Sequence, residues 1–222
     1  MVTISARFNG PPGSANGGYA AGVFAALLPG GAEVTLRSPP PLDTPLTVAR
    51  TEGHVEVREG ETLVAQAEQI DFELDVPEPV SVEEAREASE GYSGFREHAY
   101  STCFVCGPDR RDGLGIHPGP VRGRELVAAP WTPPADVPDE LVWAALDCPS
   151  GWAIDTFGRA GVLLGRLAVR ILEPPRGGEP HVVLGWAVGA DGRKRLAGSA
   201  LLTAEGRTVA FARSIWLVPR AP

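Results

Sequence analysis

With 222 residues, 43% of them hydrophobic and 22% charged, the chain has the composition of a folded protein long enough for one large domain or two small ones. The formal charge of −8 excludes a general nucleic-acid binder, which needs a basic surface to neutralise phosphates. Three cysteines, an odd number, make no disulfide framework, and no run approaches the ~18 apolar residues of a membrane span. The opening Met1-Val-Thr-Ile-Ser-Ala-Arg7 lacks the pattern of a secretory signal, so the expectation is a cytoplasmic protein without membrane or nucleic-acid partners.

In chain order, Val2–Phe8 reads as a short strand and is followed by a Gly/Pro loop up to Asn16. The apolar run from Gly17 to Leu28 is of helix length, and Pro29-Gly30-Gly31 stops it. Strands are predicted at about 32–37, 45–51, 54–58 and 62–73, with Glu52-Gly53 and Glu59-Gly60 as turns. Residues 71–100 then hold nine Asp or Glu against Arg86 and Arg96, a net −7 that leaves the rest of the chain near neutral. Inside this acidic stretch, Ser81-Val-Glu-Glu84 has capping-box spacing and predicts a short exposed helix over 82–90, its glutamates a solvated face.

The same order of elements then returns. Glu125–Ala129 reads as a strand, Pro130–Asp136 as a Pro-rich loop, and Glu140–Gly158 as a helix interrupted near Pro149. Strands follow at about 162–173, 181–189, 194–203 and 208–218, with turns at Asp191-Gly192 and Glu205-Gly206. Two local echoes accompany the repeat: Gly17-Gly-Tyr-Ala20 with Ser150-Gly-Trp-Ala153, and Val64-Ala-Gln-Ala67 with Val209-Ala-Phe-Ala212. Strand, helix and four strands, twice, describe an α+β protein whose antiparallel sheets each wrap one apolar helix. Joining the sheets edge to edge would remove exposed edges.

This order, Asn16-Gly17-Gly18 at the first helix, Ala144-Ala-Leu-Asp-Cys-Pro149 in the second and the stretch Leu36–Leu46 together resemble the tandem, or double, hotdog proteins of the acyl-CoA thioesterase type. The resemblance covers nearly the whole chain except about 74–122. It divides the sequence into an N-terminal hotdog (1–73), an acidic linker with a Cys-x2-Cys loop (74–122) and a C-terminal hotdog (123–222). It also implies one composite site, in which the helix opening at Gly17 and Gly18 faces a carboxylate, Asp147, from the other repeat. Unpaired N–H groups at a helix start suit a developing oxyanion, and Asp147 would serve as general base or nucleophile. The apolar neighbours of Asp147 should desolvate it and raise its pKa, although Asp147 also fits the plain role of a cap where Pro149 starts a second helical piece. Asp155 is the fallback acid; Ser214, with Ser150, is the nominated helper.

For the substrate, Asn16 is nominated beside the glycines, and Arg193 and Lys194 of the basic hairpin Asp191–Arg195 suit the phosphates of CoA, if they are not simply a solubilising turn. The first helix carries no acid, so a second, symmetric site is not expected. His98-x4-Cys103-x2-Cys106-x10-His117 offers two thiols and two imidazoles for a zinc site. The histidines stand far apart, however, and the segment reads as an ordinary loop, so reduced thiols, no metal and no cofactor are expected. A hydratase of the same fold would want a His around a central helix; none lies between 118 and 180. The two remaining readings are a thioesterase acting on acyl-CoA and a non-catalytic acyl-CoA binding protein, with association into a homo-oligomer open to either.

Overall fold

The computed structural model describes residues 1–154 and 161–219. The predicted Asp155 site residue lies outside them. Ten strands form one continuous sheet in the order β2-β3-β4-β1-β7-β10-β9-β8-β6-β5. The first repeat supplies β1 (Ala32–Leu36), β2 (Thr47–Thr51), β3 (His54–Glu59) and β4 (Thr62–Gln69). The second supplies β6 (Val127–Trp131), β7 (Leu163–Ile171), β8 (His181–Asp191), β9 (Lys194–Thr203) and β10 (Thr208–Leu217); β5 is the pair Gly119–Pro120.

The two repeats join through β1 and β7, which pair antiparallel from Ala32↔Val169 to Thr35↔Arg166. Two antiparallel sheets, each around its own helix and joined edge to edge, are expected from the sequence; the structure has one continuous sheet rather than two, because this junction satisfies both free edges at once. Register supports the duplication. Val34 pairs with Ala67 across β1 and β4, and Val169 pairs with Ala212 across β7 and β10. The Val64–Ala67 and Val209–Ala212 echo therefore occupies equivalent places. The other echo does not: Gly17–Ala20 opens its helix whereas Ser150–Trp152 closes the second one.

Helix α1 (Gly17–Ala25) and helix α3 (Asp139–Trp152) pack against each other on one face of the sheet, within the main core. A Cβ on Gly18 would land on Asp147 Cβ and within 2.7 Å of the Trp143 carbonyl oxygen, and one on Gly22 would lie 2.8 Å from Glu140 Cα. The absence of side chains at these two positions lets the helix backbones approach.

Pro149 sits inside α3 without ending it, contrary to the predicted interruption. Ser199 and Ser150 hydroxyls donate to the Leu146 and Asp147 carbonyls at 2.6 and 2.7 Å, which supplies donors to the turn around the proline.

Val2–Phe8 is not a strand. Val2 makes one bridge to Leu46, and Ala6–Phe8 turns as a 3-10 helix, where Phe8 stacks on Tyr19 with ring centroids 3.7 Å apart. The first strand of the second repeat starts two residues later than predicted and takes in Pro130 and Trp131.

Helix α2 (Val82–Glu90) has the predicted bounds and a complete capping box between Ser81 and Glu84. It is not fully exposed. Ala85 and Ala88 are buried with Val182, Leu184, Ala200, Leu202 and Phe211 on the outer sheet face, while Val183, Leu201, Ala210 and Ala212 point into the main core. Alternation along β8, β9 and β10 thus fills both faces. No helix among the described residues is long and apolar enough to cross a membrane.

Candidate functional site

Asn16 caps α1: its Oδ1 accepts the Tyr19 N–H at 2.8 Å, leaving its amide nitrogen free to donate elsewhere. That nitrogen donates to Asp147 Oδ2 at 2.9 Å, and the Gly18 N–H donates to the same oxygen, also at 2.9 Å. The start of one repeat's helix and the acid of the other's are therefore in direct contact. Asp147 is 2% exposed, and its Oδ1 is buried without a hydrogen-bond partner among the described residues. Burial pushes its carboxyl up to about 7, against the opposing effect of the Gly18 and Asn16 donors.

Asn16, Gly17 and Asp147 form part of the wall of a cavity of about 440 Å³. Its other walls are largely apolar: Pro39, Pro40, Val162, Leu164, Trp216 and Leu217 among them. Arg37 also lines it, a cation that sequence reasoning did not single out because an arginine at a strand end is ordinary.

The remaining predicted residues take other places. Ser214 does not meet the Asp147 carboxylate. Its hydroxyl donates to Ser150 Oγ at 2.8 Å, Ser150 donates to the Asp147 carbonyl, and Trp216 Nε1 donates to both serines at 3.0 Å. The serine pair is a buried brace behind the acid. Arg193 donates to the Val218 carbonyl at 3.0 Å, one residue beyond cavity-lining Leu217, whereas Lys194 lies 3.8 Å from Asp191. Asn16, nominated for ligand contact, spends its side chain on the helix cap and on Asp147.

The Cys-x2-Cys segment reaches the same cavity. Phe104 N–H donates to the Asn9 carbonyl at 2.8 Å, which draws this segment against the first loop, and Ile116 N–H donates to Val105 at 3.0 Å. Cys103 and Cys106 consequently meet Cys148 of α3, and the three sulfurs all lie within 4.8 Å of one another. Cys103 and Cys148 sulfurs are 3.9 Å apart, and His98 Nε2 is 3.4 Å from Cys106 Sγ. Hydrogen bonds from Cys106 and Cys148, together with the Cys106 and Val105 amides, pull the Cys103 thiol well below its usual range, while burial pushes Cys106 and Cys148 up. His117 stacks on Tyr92 instead, with Nε2 buried and unpartnered among the described residues. The third thiol was missed because it lies 45 residues from Cys103, beyond any local spacing signal.

No protein-family model and no curated protein matches the chain. Solved structures do. A conserved protein with a hot dog fold from Alicyclobacillus acidocaldarius aligns over 99% of this chain and 92% of its own, with TM-score 0.64 and 13% identity. The TesB protein of Mycobacterium avium subs paratuberculosis aligns over 98% and 91%, with TM-score 0.58 and 14% identity. Acyl-CoA thioesterase II TesB2 of Mycobacterium marinum aligns over 95% and 92%, with TM-score 0.54 and 14% identity. The chain has the hotdog fold in its double form, two repeats on one sheet. Among the matches that span nearly the whole chain is a structure described as an acyl-CoA thioesterase.

Proposed function

We propose that the protein hydrolyses an acyl-CoA thioester at a composite site between its repeats. The observation that carries this is Asp147: a buried carboxylate from the second repeat, held by Asn16 and Gly18 of the first, at the wall of a largely apolar cavity. Structural likeness to a protein described as an acyl-CoA thioesterase supports the substrate class.

In this proposal the acyl chain occupies the apolar part of the cavity. Asp147 Oδ1, the oxygen without a partner among the described residues, takes a proton from water. The resulting hydroxide attacks the thioester carbonyl, the C–S bond breaks, and the leaving thiolate recovers the proton from Asp147. Because the Gly18 N–H is engaged with Asp147, the Gly17 N–H at the cavity wall is the donor assigned to the developing oxyanion. Asn16 positions the carboxylate. Arg37 and Arg193, with Lys194, are assigned to the phosphates of CoA.

A second reading, an acyl-CoA binding protein without turnover, is favoured by one feature: no Ser, Thr or Gln side chain hydrogen-bonds the Asp147 carboxylate among the described residues. Thiol release measured over a panel of acyl-CoA chain lengths, with binding followed in parallel, separates the two. Turnover above the buffer rate that disappears in Asp147→Asn supports hydrolysis. Binding without release supports the second reading, and neither binding nor release removes both.

A further inference from the structure

The hydrolytic proposal leaves the three buried cysteines unused. We propose that Cys103, Cys106 and Cys148 bind one zinc ion, with its fourth coordination position open to the cavity beside Asp147. In a tetrahedral site with Zn–S bonds of about 2.3 Å, sulfurs stand about 3.8 Å apart. Cys103 and Cys148 are already 3.9 Å apart, and all three sulfurs fall within 4.8 Å of one another. Small side-chain rotations would close that set around an ion. A thiolate-only donor set suits zinc over magnesium or calcium.

Buried cysteine is often just a small apolar residue, and such a residue needs no hydrogen-bond donors. These sulfurs are surrounded by them. Asn16 Nδ2 lies 3.8 Å from Cys103 Sγ and 3.9 Å from Cys148 Sγ, and the Val105 and Cys106 amides face the Cys103 sulfur. The turn that brings those amides round is tight: Gly107 N–H donates to the Cys103 carbonyl at 2.9 Å, and a Cβ on Gly107 would lie 2.5 Å from Cys103 N. Only glycine fits after Cys106.

His98 does not complete the ligand set. Its Nδ1 accepts the Tyr100 N–H at 2.9 Å, so the neutral ring carries its proton on Nε2 and directs it to Cys106 Sγ. That is a hydrogen bond supporting a metal-bound thiolate, not a bond to metal. With three protein ligands, all of them lining the cavity, the fourth position is left to water or to a small ligand.

Metal content tests this independently of any hydrolytic activity. Full-length protein purified without chelator from zinc-supplemented cells should carry about one zinc per chain by elemental mass spectrometry. After stripping under reducing conditions, cobalt(II) should give tetrahedral d–d bands and a sulfur-to-cobalt charge-transfer absorption. Cys148→Ser should lose stoichiometric metal, whereas His98→Gln should keep the stoichiometry with affinity lowered roughly 10–100-fold. If Cys148→Ser does not fold, the wild-type cobalt spectrum decides alone. Protein that is metal-free as purified and shows no charge-transfer band with cobalt overturns the proposal. So does a disulfide among the three thiols, or an unchanged cobalt spectrum in Cys148→Ser.

Discussion

The α1–α3 pair has two ends, and they have diverged. At the Gly18 end, the glycine backbone meets Asp147, the carboxylate is 2% exposed, and the adjoining cavity is largely apolar. At the Gly22 end, the neighbours are Glu140 and Trp143, and the adjoining cavity of about 750 Å³ is lined by Gln69, Asp71, Arg170 and Glu173 among others. Charges there are solvated and paired: Arg170 reaches Asp71 at 2.8 Å and Glu73 at 2.6 Å. Duplication supplied both ends with a helix contact and a cleft, yet only one combines an acid with burial and donors. A carboxylate in water has ordinary chemistry; one that is desolvated and held by two donors does not.

The largest expected effect follows from that contrast. Asp147→Asn should reduce acyl-CoA hydrolysis by about 10²–10⁴-fold, the usual contribution of a positioned acid or base, while the folded state survives. Turnover assays paired with thermal unfolding check both halves. Activity within a few-fold of wild type would move the chemistry away from the Gly18 end altogether.

Next comes the packing difference between the two glycines. Gly18→Ala drives a methyl into Asp147 Cβ and the Trp143 carbonyl, groups fixed by the helix, and should cost at least the ~1–3 kcal/mol typical of overpacking. Gly22→Ala meets Glu140 Cα at 2.8 Å and Trp143 Cβ at 2.9 Å, atoms also fixed by the helix but less deeply overlapped than Asp147 Cβ is at Gly18, so a smaller loss is expected. Urea unfolding of the two variants ranks them. Equal losses would mean that the helices shift as a unit, with no specially close approach at the acid.

Parts of this architecture could be read locally. Ser81 and Glu84 announced α2 through a three-residue spacing, and Asp191-Gly192 marked a hairpin, each a short-range signal with its own chemistry. The meeting of Gly18 with Asp147, far apart in the chain, was legible only through the family resemblance. The misses were tertiary. Val2–Phe8 carries strand-like residues, but Phe8 is taken by Tyr19 from a helix eleven residues on. Pro149 announced a break, yet α3 runs through it to Trp152, in a turn where the Ser150 and Ser199 hydroxyls donate to the Asp147 and Leu146 carbonyls, Ser199 from a strand about fifty residues away. The cysteine trio depends on a fold-back of residues 98–117 that no periodicity encodes.

Asn16 offers an intermediate effect that separates capping from acid positioning. Asn16→Ala removes the cap on Tyr19 N–H and should cost about 0.5–2 kcal/mol. Asn16→Asp keeps an acceptor for that N–H but sets a second carboxylate against Asp147 Oδ2, where the amide stood at 2.9 Å. Hydrolysis should therefore fall further in Asn16→Asp than in Asn16→Ala, even though the helix cap is retained. The reverse order, read from turnover normalised to folded protein, would show that the cap rather than the donor matters.

Ser214→Ala is expected to do least. Its hydroxyl bonds Ser150 and the Ala197 carbonyl, and Trp216 Nε1 keeps Ser150 as an acceptor when Ser214 is gone. One lost hydrogen bond of this kind typically costs about 0.5–1.5 kcal/mol, which a modest drop in thermal midpoint should report. Activity should change by only a few-fold, because the path from Ser214 to the acid runs through Ser150 and the Asp147 backbone carbonyl, not its carboxylate. A loss of turnover as large as that in Asp147→Asn, without matching destabilisation, would mean that Ser214 turns toward the substrate once it binds. The second repeat would then contribute a hydroxyl as well as an acid.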